Sequence, residues 1–152
     1  MTTDICKRIA DQNIPLKEAF DLCGEALDNR LFTAMRFHAT TMEVERLHST
    51  LPESYPVSGR KPKRDTEWGK NVLIDRKINL GFGAADIRWA FSDYETILGL
   101  GLNAVLNVPI VRDQSVLGTI NYLRGDPAFS SREVGIAEQV AAALADRSEL
   151  RD

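Results

Sequence analysis

The sequence predicts an α+β fold, a mainly antiparallel sheet with helices against it. Three observations carry that reading. Apolar residues recur with a helical period at both ends of the chain and with a period of two between them. Two pairs of alternating segments are each joined by a short polar turn, which makes hairpins and therefore antiparallel pairing. A helical excursion separates the two hairpins. At 152 residues the chain has the length of one domain. With 43% hydrophobic residues it has enough apolar surface to offset chain entropy.

Two helices open the chain. The first covers residues 4–12 after Thr3 as N-cap. The second begins at Pro15, a residue suited to a first helical turn. It carries Leu16, Ala19, Phe20, Cys23, Ala26 and Leu27 as one stripe, and ends near Asp28. Residues 31–38 and 43–49 then read as a hairpin around Thr40-Thr41. The alternating Glu43, Glu45 and Arg46 mark the second strand as a wet edge. Residues 51–64 read as a loop punctuated by Pro52, Pro56, Gly59 and Pro62.

Asp65 or Thr66 caps a helix over residues 67–75. A short strand follows at 77–80, then short helices at 84–91 and 93–98. Residues 102–111 form the strongest strand, with Leu102, Ala104, Leu106, Val108 and Ile110 on one face. Residues 116–124 return as its partner. Ser130-Ser131-Arg132-Glu133 is a capping box, with Phe129 and Val134 as the hydrophobic staple. The final helix over residues 130–150 is apolar on more than one stripe.

The exclusions are equally direct. Nineteen basic against twenty-two acidic residues give a net charge of -3, opposite to a general nucleic-acid binder. Two cysteines are too few for a disulfide scaffold. No apolar run is long enough to span a membrane. The chain reads as a cytoplasmic protein without a cofactor.

Val105-Leu106-Asn107-Val108-Pro109-Ile110, a short turn and Val116-Leu117-Gly118-Thr119-Ile120-Asn121 resemble the paired strands of the GAF family. Asp65-Thr66-Glu67-Trp68-Gly69 is similar to a segment of short bacterial GAF proteins. The resemblance covers residues 16–146 of a single domain spanning 1–152, with the first 13 residues as an N-terminal helix. It implies a five- or six-stranded antiparallel sheet with the terminal helices on one face. The other face would carry a pocket under the middle loops and helices. The strand at 31–38 would sit inside the sheet, beside 116–124. The cyclic-nucleotide signature of the family is absent. Cys6 and Cys23 lie on the opening helices, away from the segments where bilin photoreceptors and free-methionine-sulfoxide reductases place theirs.

Other motifs carry less. Gly99-Leu100-Gly101-Leu102-Asn103-Ala104 fits a dinucleotide fingerprint in letters but lies between a helix and a strand, the reverse of the required order. Arg60-Lys61-Pro62-Lys63-Arg64 is either a solvated loop or a phosphate or acidic-partner site. His38 and His48 are too far apart to share a metal. Trp68, Trp89, Phe91 and Tyr94 in the helical excursion roof a pocket or plug it as core. Asn103 and Asn107 share a strand face and bond to loop backbone or read a ligand. Asn121 is register-dependent. A two-residue turn pairs it with Leu106, and one extra bulge residue brings it beside Asn107.

The expected function is a sensory or regulatory binding module rather than an enzyme. Its candidate ligand-binding residues are Trp68, Trp89, Phe91, Tyr94, Asn103, Asn107 and Asn121, with the Asn amides orienting an unidentified small molecule. The alternatives are a stand-alone enzyme on a small metabolite and a dimerisation module with a vestigial pocket. The expected partners are a second copy, through the N- and C-terminal helices, and a regulatory protein, with no nucleic acid and no membrane.

Overall fold

The computed structural model describes residues 2–151. Its first hairpin is β1 (Leu31–His38) and β2 (Glu43–Ser49), with the boundaries that the period-two pattern predicts. The second is β5 (Ala104–Arg112) and β6 (Ser115–Arg124). Asp113 and Gln114 turn this hairpin with φ of 51° and 68°. Positive φ at both turn residues matches the strand twist. Two short strands, β3 (Arg60–Pro62) and β4 (Asn79–Phe82), complete a six-stranded antiparallel sheet in the order β3-β2-β1-β6-β5-β4.

The strand β2 is not an edge. β3 arises within the segment read as loop and pairs its Arg60, Lys61 and Pro62 with Glu45, Val44 and Glu43. Arg60 answers the charges that suggested an edge, lying 3.6 Å from Glu43 and 3.7 Å from Glu45. Pro62 fits because β3 has no further strand beyond it to receive an N–H.

Helices α1 (Thr2–Ala10), α2 (Leu16–Glu25) and α5 (Ser131–Ala145) lie together over one face. The core there joins Phe20 and Cys23 of α2 to Ala104, Leu106, Val108 and Ile110 of β5 and to Val140 and Leu144 of α5. Gly118 shows how close the strands approach, because a Cβ on it would overlap the Met35 carbonyl oxygen. The capping box of α5 forms as its four letters predict: Ser130 Oγ accepts the Glu133 N–H at 3.2 Å, and Glu133 Oε1 accepts the Ser130 N–H at 2.8 Å. The same carboxylate takes both Arg124 guanidinium nitrogens, at 2.8 and 2.9 Å.

The second apolar stripe of α5 is covered within the chain. Val140 and Leu144 are fully buried, and so is Ile9 of α1, which packs into the same cluster. Arg147, also fully buried, ties the two ends together. It donates to the carbonyls of Ile9, Asp11 and Ile14 at 3.0, 2.7 and 2.6 Å and to Glu149 at 2.8 Å.

The opposite face is roofed by a π-type helical turn (Gly69–Ile74), α3 (Ala84–Ala90) and α4 (Tyr94–Gly99). Thr66 starts the π turn by accepting the Gly69 N–H at 2.9 Å. The wider Asp75 N–H to Lys70 carbonyl bond, 2.8 Å, ends it.

Two one-residue bulges decide which side chains reach which face. Pairing runs Ala34 to His48 and then Met35 to Arg46, so Leu47 is the extra residue in β2. It turns His48 to the helix side, 5.5 and 5.9 Å from the rings of Phe20 and Phe32, and leaves Arg46 on the other side. In the second hairpin Ile110 pairs with Gly118 and Val111 with Val116, so Leu117 is extra.

Burial pushes the His48 pKa below its ordinary 6.5; Asp21, 3.5 Å away without a hydrogen bond, opposes this, and Lys17 adds to it. A lowered histidine binds fewer protons folded than unfolded. Its contribution to stability is therefore complete above pH 6.5 and is lost as pH falls below that value toward the folded pKa. The urea midpoint should drop between pH 7.5 and 5.5, and His48→Gln should flatten that drop. Equal slopes in both proteins would sink the assignment. Glu45, Glu133 and Glu149 lie outside this window, because hydrogen bonds from His38, Arg124 and Arg147 hold them below the usual carboxylate range.

Candidate functional site

Between the sheet and its roof is a cavity of about 50 Å³. Its floor is one polar row crossing four strands. Thr33 of β1 pairs with Asn121 of β6, Asn121 with Asn107 of β5, and Asn107 with Asn79 of β4. The Leu117 bulge creates this row by setting Asn121 opposite Asn107 instead of Leu106. Of the two registers open at the level of sequence, the bulged one forms.

The row is hydrogen-bonded along its length. Asn107 Oδ1 accepts from the Trp68 indole at 3.0 Å and from Asn79 at 2.9 Å. Asn107 Nδ2 donates to Asn121 Oδ1 at 2.8 Å, and Asn121 Nδ2 to Thr33 Oγ1 at 3.1 Å. Both oxygen lone pairs of Asn107 are thus taken by the protein itself. Buried amides so satisfied form a rigid floor.

The rim is cationic. A strand's period of two turns Lys61 of β3 inward and Arg60 outward, and Lys63 follows Lys61. Arg46 of β2 reaches the same cavity, with Tyr55 from the loop and Asp93 before α4. Asp93 holds the N-cap position of α4 but makes no cap bond with its side chain. Its carboxylate lies 3.9 Å from Lys61 Nζ.

Burial leads each pKa shift here. It pushes Lys63 down, helped by the neighbouring Lys61 charge, and pushes Arg46 down. It pushes the Tyr55 hydroxyl up, with Asp93 adding to the effect. The Arg46 Nε is buried with no hydrogen-bond partner. Asp93 faces the Tyr55 hydroxyl and raises its pKa both through its charge and as a hydrogen-bond acceptor.

Of the residues singled out from sequence, Trp68, Phe91, Asn107 and Asn121 line this cavity. Trp89, Tyr94 and Asn103 do not. Trp89 is 41% exposed in an open groove beside Arg88. Tyr94 packs with Ile87 and Ile97 under the Arg88 guanidinium, 5.3 Å from its ring. Asn103 ends at the Asp126 carboxylate, 3.4 Å away, before β5 begins. Arg46, Tyr55, Lys61, Lys63 and Asp93 were not singled out as lining. The basic run at residues 60–64 was the available signal, and its alternation was hidden by the loop reading.

Cys6 and Cys23 both belong to the helix side of the sheet. Cys23 is buried, which pushes its thiol up and makes it unreactive. Among the described residues no group of three His, Cys, Asp or Glu could hold a metal, and no helix is long and apolar enough to cross a membrane.

This geometry has well-populated relatives. A GAF domain from an Acinetobacter phosphoenolpyruvate-protein phosphotransferase is 16% identical, with a TM-score of 0.72 over 95% of this chain and 90% of that one. A GAF domain/HD domain protein from Geobacter sulfurreducens is 18% identical, with a TM-score of 0.73 over 99% and 95%. The phycocyanobilin-bound GAF domain of a cyanobacterial phytochrome is 15% identical, with a TM-score of 0.71 over 99% and 97%. At these identities the likeness is one of fold. No curated protein sequence matches the chain. The family model for the GAF domain matches residues 27–147, from the end of the second helix to the last turn after α5. By that match, and with the sheet, the roof and the cavity in the arrangement described, the chain belongs to the GAF domain family.

Proposed function

We propose that this chain is a sensory domain that binds a small molecule in the cavity between sheet and roof and performs no chemistry on it. The observation that supports this reading is the combination of a rigid, self-satisfied polar floor with a cationic rim whose Arg46 Nε is buried and unpartnered. Ligand pockets have this mixture of apolar walls and a few placed polar groups. Cys6 and Cys23 sit across the sheet, which disfavours thiol chemistry in the cavity. A cavity of about 50 Å³ is far too small for a bilin, the group bound in the phytochrome relative.

Thermal-shift screening of metabolites tests the proposal, because a ligand that binds only the folded state raises its apparent stability. At least one metabolite should raise the Tm of the wild-type chain. Ala90→Leu, which extends a lining side chain into the cavity, should abolish that rise and leave the fold intact. A stabiliser indifferent to Ala90→Leu would overturn the proposal, as would a screen without any stabiliser.

A homodimer through the terminal helices, in the same reading, would seat on exposed residues of α5 such as Glu138, Gln139 and Ala142, since Val140 and Leu144 are core. Sedimentation equilibrium checks it, and a mass of 17.0 kDa at every concentration would exclude it.

A further inference from the structure

The charge of the cavity is opposite to that of the chain. Arg46, Lys61 and Lys63 face it against the single carboxylate of Asp93, in a protein of net charge -3. Lys61 has Asp93 as its counter-ion. Lys63 makes no ion pair among the described residues and rests its Nζ over the Trp68 ring, 5.0 Å from the centroid. Arg46 spends one nitrogen on the Pro56 carbonyl at 3.0 Å and leaves Nε buried without a partner. Tyr55, 6% exposed, turns its hydroxyl toward Asp93. Unpaired buried donors are costly, and native structures rarely tolerate them without a use.

The amide floor cannot supply the recognition that the sequence suggested for it. The Asn107 oxygen is saturated by Trp68 and Asn79, and the Asn121 amide is directed at Thr33. The unfilled hydrogen-bonding capacity at the rim lies with the Arg46 Nε, a donor, and the rim carries positive charge.

Volume bounds the occupant. A water needs about 10–15 Å³ of such space, so about 50 Å³ admits three to five non-hydrogen atoms. Leu31, Ile97 and Leu123 supply apolar wall beside the donors, which suits a hydrocarbon tail better than a bare inorganic oxyanion.

Resting on the sensory reading above, we propose that the occupant is a short-chain monocarboxylate of the size of acetate to propionate. Its carboxylate lies among Arg46, Lys63 and the Tyr55 hydroxyl, and its tail lies against Leu31, Ile97 and Leu123. Binding would add to the counter-charge of Asp93, which offsets only part of what burial, Lys61 and Arg46 do to Lys63.

Isothermal titration calorimetry with sodium acetate and sodium propionate tests this, at ionic strength matched with sodium chloride. Propionamide serves as the neutral isostere and inorganic phosphate as the tail-less anion. The carboxylates should bind saturably and raise the Tm. Propionamide should bind at least about tenfold more weakly, because charge-assisted hydrogen bonds are roughly twice as strong as neutral ones. Lys63→Met and Arg46→Gln should each weaken propionate by a similar factor, with the far-ultraviolet circular dichroism unchanged. Equal affinity for propionamide would overturn the proposal. So would phosphate binding as tightly as propionate, an unchanged affinity in Lys63→Met, or no saturable carboxylate binding. If another metabolite then stabilises the wild type but not Ala90→Leu, the carboxylate assignment falls and the sensory pocket stands. If none does, both fall.

Discussion

Asn107→Leu should lower the unfolding free energy by about 2–6 kcal/mol, at about 1–3 kcal/mol for each buried group left unpaired. The leucine fills nearly the same volume, so the loss is one of hydrogen bonding more than of packing. Two buried groups lose their partner outright, the Trp68 indole N–H and the Asn121 carboxamide oxygen. Asn79 loses one too, but it is only half-buried and can turn toward water. For a domain with about 5–15 kcal/mol in total, the substitution removes a large fraction of the stability. Asn107→Asp keeps an acceptor for Trp68 and Asn79 and loses the donor to Asn121, so it should fall between wild type and leucine. Urea denaturation at equilibrium checks both. A leucine variant within about 0.5 kcal/mol of wild type, the ordinary range for surface changes, would show that the row contributes nothing to the fold.

Arg147→Met should cost about 3–5 kcal/mol, the usual consequence of breaking a buried, hydrogen-bonded charge, but its signature should be local. Arg147 holds the carbonyls of Ile9, Asp11 and Ile14, where α1 ends and the chain turns into α2. Methionine replaces the stem and none of those bonds. The segment that loosens first is therefore α1, which covers Val140 and Leu144. Partial opening of one element is the expected pattern where stability is uneven. Cys6 and Cys23 report on it, since both pack into the core beneath these helices. Labelling by a thiol reagent under native conditions should be faster in Arg147→Met than in wild type. Propionate binding, on the far side of the sheet, should persist. Unchanged labelling combined with wild-type stability would contradict the role given to Arg147.

These two residues also mark how far the sequence could be read. Asn107 was legible because a polar residue in an otherwise apolar strand needs a partner, and parity places it on the face away from the helices. Its partner was not legible, because a bulge leaves no reliable mark in a run such as Val116-Leu117-Gly118. The boundaries of β1 and β2 and the start of α5 followed from strict alternation and from four capping letters, both local signals, whereas α5 ends at Ala145, short of the expected 150. β3 was missed because three residues, two of them cations and one proline, have no strand signature of their own. They become a strand when β2 offers them its free edge. The cationic rim was missed for the same reason: lysine in a loop reads as solvated until pairing with Val44 fixes which way Lys61 points. Arg147 was passed over as the polar end of a helix. Trp89 and Tyr94 were grouped with the cavity by neighbourhood along the chain, and short helices scatter such neighbours; Asn103 was grouped by strand parity with Asn107, but β5 begins only at Ala104.

The extra residue at Leu117 makes the second hairpin behave like a reading frame. Straightening that bulge, with every letter left in place, would exchange the two sides of β6 relative to β5. Asn121 and Thr119 would be carried into the layer beneath the terminal helices, and Ile120 and Tyr122 would be carried out over the cavity. The chemistry of the site is therefore encoded by a count as much as by residue identity. One residue inserted between Gly118 and Ile120 should be as damaging as the loss of the asparagines themselves, whereas deletion of Leu117 should leave Asn121 opposite Asn107, although neither change touches a residue of the site.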